Sequence, residues 1–172
     1  FNRNKNFQVK LIKPSPSNEL FQLYKLHKLR FMDHSIESYE QFVQTFFFSF
    51  SFNYMLVISD RNRIITVSHL DVTSAAMSAI YCYFDEEYKR FSPGTYAVYK
   101  EIEIARDLGI KWLYLGYYVE QNAHMNYKVR FKPNQLLIEE NHWIDYIDAS
   151  GKLVYPTASN HEFIPKYRPF TP

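Results

Sequence analysis

A chain of 172 residues suits one domain, and with 47% apolar residues it can build a core of its own. Twenty Lys and Arg against 18 Asp and Glu leave a formal charge of +2, too balanced for a binder that works by bulk electrostatics. Four glycines nearly exclude glycine-rich phosphate loops, and the single cysteine, Cys82, excludes a disulfide framework or a Cys-based zinc or iron–sulfur site within the chain.

The elements follow in chain order. Phe7-Gln8-Val9-Lys10-Leu11-Ile12 alternates as a first strand. Pro14-Ser15-Pro16-Ser17 turns the chain and starts a helix. Ser17 is its N-cap, Glu19 lies in its first turn, and Leu20, Leu23, Tyr24 and Leu26 form a stripe running to about Arg30. Asp33-His34-Ser35 breaks that helix, and a second is predicted over residues 36–47 with Tyr39, Phe42, Val43 and Phe46. The period then changes. Residues 54–59 read as a strand, Asp60-Arg61-Asn62-Arg63 as a hairpin turn and residues 64–71 as the returning strand. A turn over 73–77 leads to a third strand over 78–85, in which Cys82 reads as a buried small hydrophobe.

Ser92-Pro93-Gly94-Thr95 opens a helix over residues 95–108, stopped by Gly109 at the C′ position. Its buried face is predicted as Ala97, Val98, Ile102, Ala105 and Leu108. Residues 111–119 are apolar almost throughout and read as a strand buried on both faces. Strand, helix and strand in that order favour a right-handed parallel crossover. A last helix is predicted around residues 124–132, and residues 164–172 form a proline-rich tail. Helices, an antiparallel meander, then a helix crossing to a parallel strand make an α+β order. That is the layout of N-acetyltransferase-like (GNAT) folds, here as a single domain over residues 1–172.

Charge is unevenly spread. Residues 1–30 hold seven Lys or Arg against one acid, Glu19, a net +6 that leaves −4 for the rest. This stretch is either a solvated basic face or a contact for a polyanion such as RNA. A second basic knot, Lys128, Arg130 and Lys132, follows His124. On a helix Lys128 and Lys132 share one face with His124 a turn back, an anion-site candidate. Ser92, Gly94, Thr95 and Tyr96 sit at a helix start, where free N–H groups and the positive end of the macrodipole suit a phosphate or carboxylate; an ordinary capped helix is the alternative. Tyr117 ends the buried strand. Tyr127 can orient a substrate carbonyl and Lys128 can hold an anion, or the two are a core ring and a solvated charge. Asp85, in Asp85-Glu86-Glu87, can hold or deprotonate an amine, or it is part of a solvated turn. The six histidines show no metal-ligand spacing, so no metal site is expected. No run is long and apolar enough to cross a membrane, and no signal peptide is recognisable, so a soluble, cytoplasmic protein without a membrane partner is expected. The chain opens on Phe1 rather than Met, so a preceding segment is expected.

A family resemblance emerges at these residues. Its parts are Tyr83-Phe84-Asp85, then Phe91-Ser92-Pro93-Gly94-Thr95-Tyr96, then residues 101–109. Next come Tyr114-Leu115-Gly116-Tyr117-Tyr118, then Met125-Asn126-Tyr127-Lys128 with Phe131-Lys132-Pro133. The combined G-T-Y, Y-L-G-Y-[YW] and M-x-Y-K-x-x-[FY]-x-P string is similar to the C-terminal domain of arginyl-tRNA–protein transferases and of the bacterial aspartate/glutamate leucyltransferases, over roughly residues 18–145. The resemblance implies a GNAT-like domain that moves Arg or Leu from charged tRNA to the N-terminal amine of proteins beginning with Asp or Glu, in the N-degron pathway. Aminoacyl-tRNA is then a co-substrate and no cofactor is implied within this chain. A mechanism consistent with both the residues and the resemblance assigns roles as expectations: Tyr127 and N–H groups near Gly94 orient the ester, Lys128 holds a tRNA phosphate or the acceptor carboxylate, and Asp85 serves as acid/base or amine holder. Ser92, Thr95, Tyr96, Tyr117, His124, Arg130 and Lys132 fall to substrate and tRNA binding. The aromatic excess, 19% of residues, offers faces for unpaired 3′ bases. The family's cysteine-cluster segment is not in this sequence; Pro93 replaces a common Leu and Glu86 a common Pro. Two other readings remain: an acyl-CoA-dependent N-acyltransferase, disfavoured by the shortage of glycine at residues 92–96, and a non-catalytic binder of acidic N-termini.

Overall fold

The computed structural model describes residues 2–31, 38–47, 50–122, 124–154 and 166–169. Its strands are β1 (Gln8–Ile12), β2 (Asn53–Asp60), β3 (Arg63–Val72), β4 (Ala76–Phe84), β5 (Trp112–Tyr114), β6 (Asn134–Glu139), β7 (His142–Ile147) and β8 (Lys166–Pro169). Its helices are α1 (Asn18–Leu29), α2 (Tyr39–Phe46) and α3 (Pro93–Asp107), with short 3₁₀ turns at Asn2–Asn4, Glu86–Phe91 and Asn126–Arg130. One sheet has the order β1-β2-β3-β4-β5 and the other β7-β6-β8. The architecture is mixed α and β, mostly antiparallel with one parallel pair, as expected. The chain divides into two compact units. One is Phe1–Val72 with Ile80–Glu103, the other Thr73–Ala79 with Ile104–Pro172.

In the first unit β1 runs antiparallel to β2, and β2 to β3. The hairpin is tighter than expected: Asp60 still pairs with Arg63, so only Arg61, at φ 55, and Asn62 make the turn. α1 starts on the expected cap, with the Leu20 N–H donating to the Ser17 hydroxyl at 3.3 Å. Its buried residues are Leu20, Phe21, Leu23, Tyr24, His27 and Lys28, whereas Leu26 is 59% exposed. From Leu20 the apolar arc passes through positions i+3/i+4 and i+7/i+8, and Leu26 falls outside it. α2 begins at Tyr39 rather than 36, because Ser38 and Gln41 form a reciprocal capping box; residues 36 and 37 lie outside the described residues. At its centre Phe42 is fully buried. The rings of Phe21, Tyr24, Phe46 and Phe47 surround it with centroids 5.2–5.6 Å away. Much of the aromatic excess is therefore core, in the edge-to-face and tilted arrangements that ring quadrupoles favour.

In the second unit the start of β4 pairs in parallel with β5, from Ala76↔Trp112 to Ser78↔Tyr114. β4 begins at Ala76, two residues ahead of expectation, because the Thr73 hydroxyl accepts from the Ala75 and Ala76 N–H groups and closes the turn sooner. It ends at Phe84 because Asp85 caps the next turn. α3 ends on a Schellman motif: the Ile110 N–H donates to the Ala105 carbonyl (2.8 Å) and that of Gly109 to Arg106 (3.0 Å), with Gly109 at φ 69 as expected. Leu108, expected on the buried face, is 57% exposed at this helix end. The predicted strand over 111–119 shrinks to three residues, because Gly116 takes φ 73 and turns the chain. The β6–β7 hairpin, which turns at Asn141 (φ 60), was not predicted. Within the expected tail, residues 166–169 form β8 on β6; residues 164–165 and 170–172 lie outside the described residues. Among the described residues no helix is long and apolar enough to cross a membrane.

Candidate functional site

In the second unit two motif segments meet at one side chain. After β5, Leu115 packs inward, Gly116 reverses the backbone, Tyr117 is exposed and Tyr118 buried. The chain returns through the turn at Asn126–Arg130. This turn is 3₁₀ rather than the expected α-helix. With about three residues per turn, Lys128 and Lys132 no longer share a face. Lys128 points inward and is only 9% exposed, whereas His124, Arg130 and Lys132 are exposed. The expected anion-holding face of His124, Lys128 and Lys132 is therefore not formed. Instead Lys128 Nζ donates to the Tyr117 carbonyl at 2.5 Å and passes 3.9 Å from where a Cβ on Gly116 would stand. Burial pulls its amine down to about 8. When protonated it has three N–H donors, and Tyr117 takes one. Tyr127 is partly buried, its ring 6.5 Å from that of Phe131. Buried Asn134 holds the turn by donating to the carbonyls of Val129 (3.2 Å) and Phe131 (2.7 Å).

The first unit holds Asp85, Ser92, Gly94, Thr95 and Tyr96. Asp85 is not a free base. One carboxylate oxygen accepts from the Glu87 N–H at 3.0 Å, and the other accepts from the Arg63 guanidinium, which also reaches Glu87 at 2.7 Å. It caps the 3₁₀ turn and ties it to β3. Ser92 ends that turn at φ 52, and Pro93 is the first residue of α3, where its missing N–H costs nothing. Gly94 lies against Phe84, with a substituted Cβ 3.4 Å from the ring. The Tyr96 hydroxyl is directed inward and donates to the Asn4 carbonyl at 3.4 Å, so Tyr96 braces the helix start from within. Ser92 and Thr95, exposed and half-buried, stay at the surface of this helix start with the orphan N–H groups of the first turn.

One buried acid was missed. Glu101 on α3 is 1% exposed, and burial pushes its carboxyl up to about 7 against a smaller downward pull from the Ser68 hydroxyl. No hydrogen bond of normal geometry joins the two: Glu101 Oε2 and the hydroxyls of Thr66 and Ser68 are buried without such a partner among the described residues, so the Ser68 hydroxyl acts on the carboxyl only as a nearby dipole. The signal was present, since Glu101 falls in phase with Ala97 and Ala105 on the apolar face of the helix. His27 and His69 are also buried and each is pulled down to about 4: His27 by burial and then by the Arg30 charge, His69 by burial. Among the described residues no group of three or more His, Cys, Asp or Glu could hold a metal ion.

The family described as "Arginine-tRNA-protein transferase, C terminus" matches residues 17–138. An aspartate/glutamate leucyltransferase of Campylobacter jejuni subsp. jejuni serotype O:23/36 (strain 81-176) is 32% identical over 144 residues, covering 79% of this chain and 59% of that protein. One from Acinetobacter baumannii (strain AYE) is 36% identical over 102 residues, covering 59% and 38%. The chain thus spans only 59% of the length of the Campylobacter relative. Among solved structures, the ribosomal-protein-S18-alanine N-acetyltransferase from Escherichia coli aligns with a TM-score of 0.56 at 11% identity, covering 94% of this chain and 90% of that one. An acetyltransferase of the GNAT family from Staphylococcus aureus Mu50 aligns with a TM-score of 0.55 at 13% identity, covering 94% and 98%. At these identities the likeness shows the fold, which is that of the GNAT acetyltransferases. The matched span takes in the helix start at Gly94, the Tyr117–Lys128 contact and most of the elements around them, and by it the chain belongs to the arginine-tRNA-protein transferase C-terminal family.

Proposed function

We propose that this chain is the transfer domain of an aminoacyl-tRNA–protein transferase. It moves Arg or Leu from its tRNA ester to the α-amine of proteins that begin with Asp or Glu, in the cytoplasm, as a step of the N-degron pathway. The observation that carries this reading is the part-buried Lys128–Tyr117 contact, which joins the Y-L-G-Y-Y and M-N-Y-K segments, 11 residues apart, at one ammonium.

The chemistry asks little of the protein beyond placement. The acceptor amine attacks the ester carbonyl carbon; a C–N bond forms, the C–O bond to the ribose breaks, and the amine's proton leaves as the ribose oxygen gains one. The ester is already activated, so this step needs no ATP. The acceptor α-amine has an ordinary pKa near 8, so a useful fraction is neutral at physiological pH. Alignment then supplies much of the rate. In the second unit, Lys128 presents its remaining donors to an anion, either a tRNA phosphate or the acceptor carboxylate, and Tyr127 orients the ester beside it. In the first unit, the N–H groups at Gly94 and Thr95 offer a further anion contact.

The test is transfer of labelled Arg or Leu from charged tRNA to Asp- and Glu-starting peptides, with acetyl-CoA as the competing donor. Transfer from either tRNA to the acidic peptides supports the reading. Acetylation of the peptides with no aminoacyl transfer overturns it.

A further inference from the structure

The first unit contains a cavity of about 290 Å³ where the end of α2 meets the start of β2 and the end of β3. Five of its eleven lining residues carry aromatic rings: Phe46, Phe50, Phe52, Tyr54 and His69. Phe50 and Phe52 are exposed and stack almost parallel, with centroids 5.2 Å apart and planes 3° from one another. Phe46 stacks on His69 at 4.9 Å. His69, held down at about 4 by burial, adds no positive charge near neutral pH.

Asp71 is the one charged side chain among the lining residues. Its Oδ1 accepts from the Asn53 amide at 2.5 Å, and the Asn53 Oδ1 accepts from the Phe50 N–H at 3.2 Å. One amide therefore fixes the carboxylate and the ring-bearing loop together. Among the described residues Asp71 makes no ion pair. The neighbourhood already holds one cation: Lys13 Nζ lies 3.6 Å over the Tyr54 ring and donates to the Ser51 carbonyl at 2.5 Å.

A partly buried carboxylate with no counter-ion among the described residues, bordered by aromatic faces, is complementary to a cation that can also stack. A guanidinium meets both requirements. It is planar, weakly hydrated, lies flat on rings, and pairs with a carboxylate through two parallel N–H bonds. An ammonium is a strongly hydrated point charge and gains less from the stacked pair. We propose that this cavity binds a guanidinium group carried on an apolar stem, with Asp71 as its counter-ion and the Phe50 and Phe52 rings as its stacking surface. One consequence rests on the transfer reading: the guanidinium then belongs to an arginyl substrate of the transfer.

The test titrates the whole chain with Nα-acetyl-L-arginine methyl ester and Nα-acetyl-L-leucine methyl ester, which differ at the side chain and lack an α-ammonium. The arginine probe should bind at least tenfold more tightly. Asp71→Asn, which keeps the side-chain shape, should erase that preference, and Phe50→Ala, at an exposed ring, should weaken the arginine probe several-fold. Equal or tighter binding of the leucine probe, or arginine binding unchanged in both variants, overturns the proposal. Transfer from charged tRNA separates the two readings. Transfer of Leu together with failure of the arginine probe overturns the cavity assignment and leaves the transferase reading standing. Tight, Asp71-dependent binding of the arginine probe without transfer from either tRNA supports the cavity and overturns the transferase reading.

Discussion

Replacing Glu101 by Gln should change how stability depends on pH, in a direction fixed by burial. In the folded chain the Glu101 carboxyl keeps its proton up to about pH 7, against an ordinary value of 4.5. Between these values the folded state binds more protons than the unfolded one, so stability falls as pH rises and levels off above about pH 8. The loss across that window is about 3 kcal/mol, from 1.36 kcal/mol per pH unit. For a chain of this size it corresponds to roughly 6–12 °C in melting temperature. His27 and His69 act in the opposite sense. Their folded values of about 4 lie below the ordinary 6.5, so the stability they contribute grows as pH rises from 4 to 6.5. Both are present in wild type and variant and cancel in the difference. The assay is thermal melting of both proteins from pH 5 to 9. The melting curve of E101Q should gain on that of wild type by the stated amount between pH 5 and 8. Parallel curves across that range would refute the buried, protonated acid.

Lys128→Met removes the ammonium that donates to the Tyr117 carbonyl and, in the transfer reading, its charge-assisted contact to the bound anion, a contact of about 1.5–3 kcal/mol. Measured as kcat/KM for aminoacyl transfer, this should be a loss on the order of 10–100-fold. Asp85→Asn weakens the tie to Arg63 and should lower stability by about 1–2 kcal/mol in urea or heat while transfer at saturating acceptor persists; loss of transfer at unchanged stability would instead restore the acid/base role. Phe42→Ala removes the centre of the ring cluster and should cost about 3–5 kcal/mol, read as a fall of roughly 10 °C or more. For tRNA binding, Arg3, Lys5 and Lys10 are exposed cations of the N-terminal stretch that lie on no ring of the core among the described residues. Their joint replacement by Ala should flatten the dependence of log K on log salt by about 2–3.

Local signals were legible where one residue decides the geometry. Ser17 caps α1, Gly109 ends α3 in a left-handed conformation, and Asp60 to Arg63 turns the hairpin. The parallel pairing of β5 followed from strand, helix and strand in sequence. What the sequence concealed was phase and depth. The apolar run over 111–119 looks like one strand, because nothing in composition reveals that Gly116 leaves the β region. Lys128 looks like a surface cation on a helix; a 3₁₀ turn rotates it inward, and the carbonyl that receives it belongs to a segment 11 residues away. The β6–β7 hairpin escaped because its registers shift at Asn134/Gln135 and Leu137/Glu139, which breaks the alternation a strand is read from. Asp71 carries no motif; only the structure brings it beside Phe46 and His69.

The basic N-terminal stretch shows how far a charge count can mislead. Of its seven cations, four are engaged by this chain. Lys13 lies on Tyr54, Lys25 on Phe21, Lys28 on Tyr24, and Arg30 on Phe84 while paired with Glu86 at 3.1 Å. A cation on a ring face gains roughly 0.5–1 kcal/mol at an exposed site, and its methylene stem covers apolar surface while the head stays wet. The aromatic excess and the basic excess therefore answer each other: rings that fill the core also present edges and faces at its rim, and lysines close over them. A net +6 in sequence becomes, in space, three exposed cations suited to a polyanion and four, the exposed Lys13 among them, that lie on aromatic rings. The Lys13–Tyr54 contact lies at the border between these roles, because Tyr54 also lines the cavity that holds Asp71. There the device that seals the core with a cation from within the chain becomes a surface able to receive one from outside.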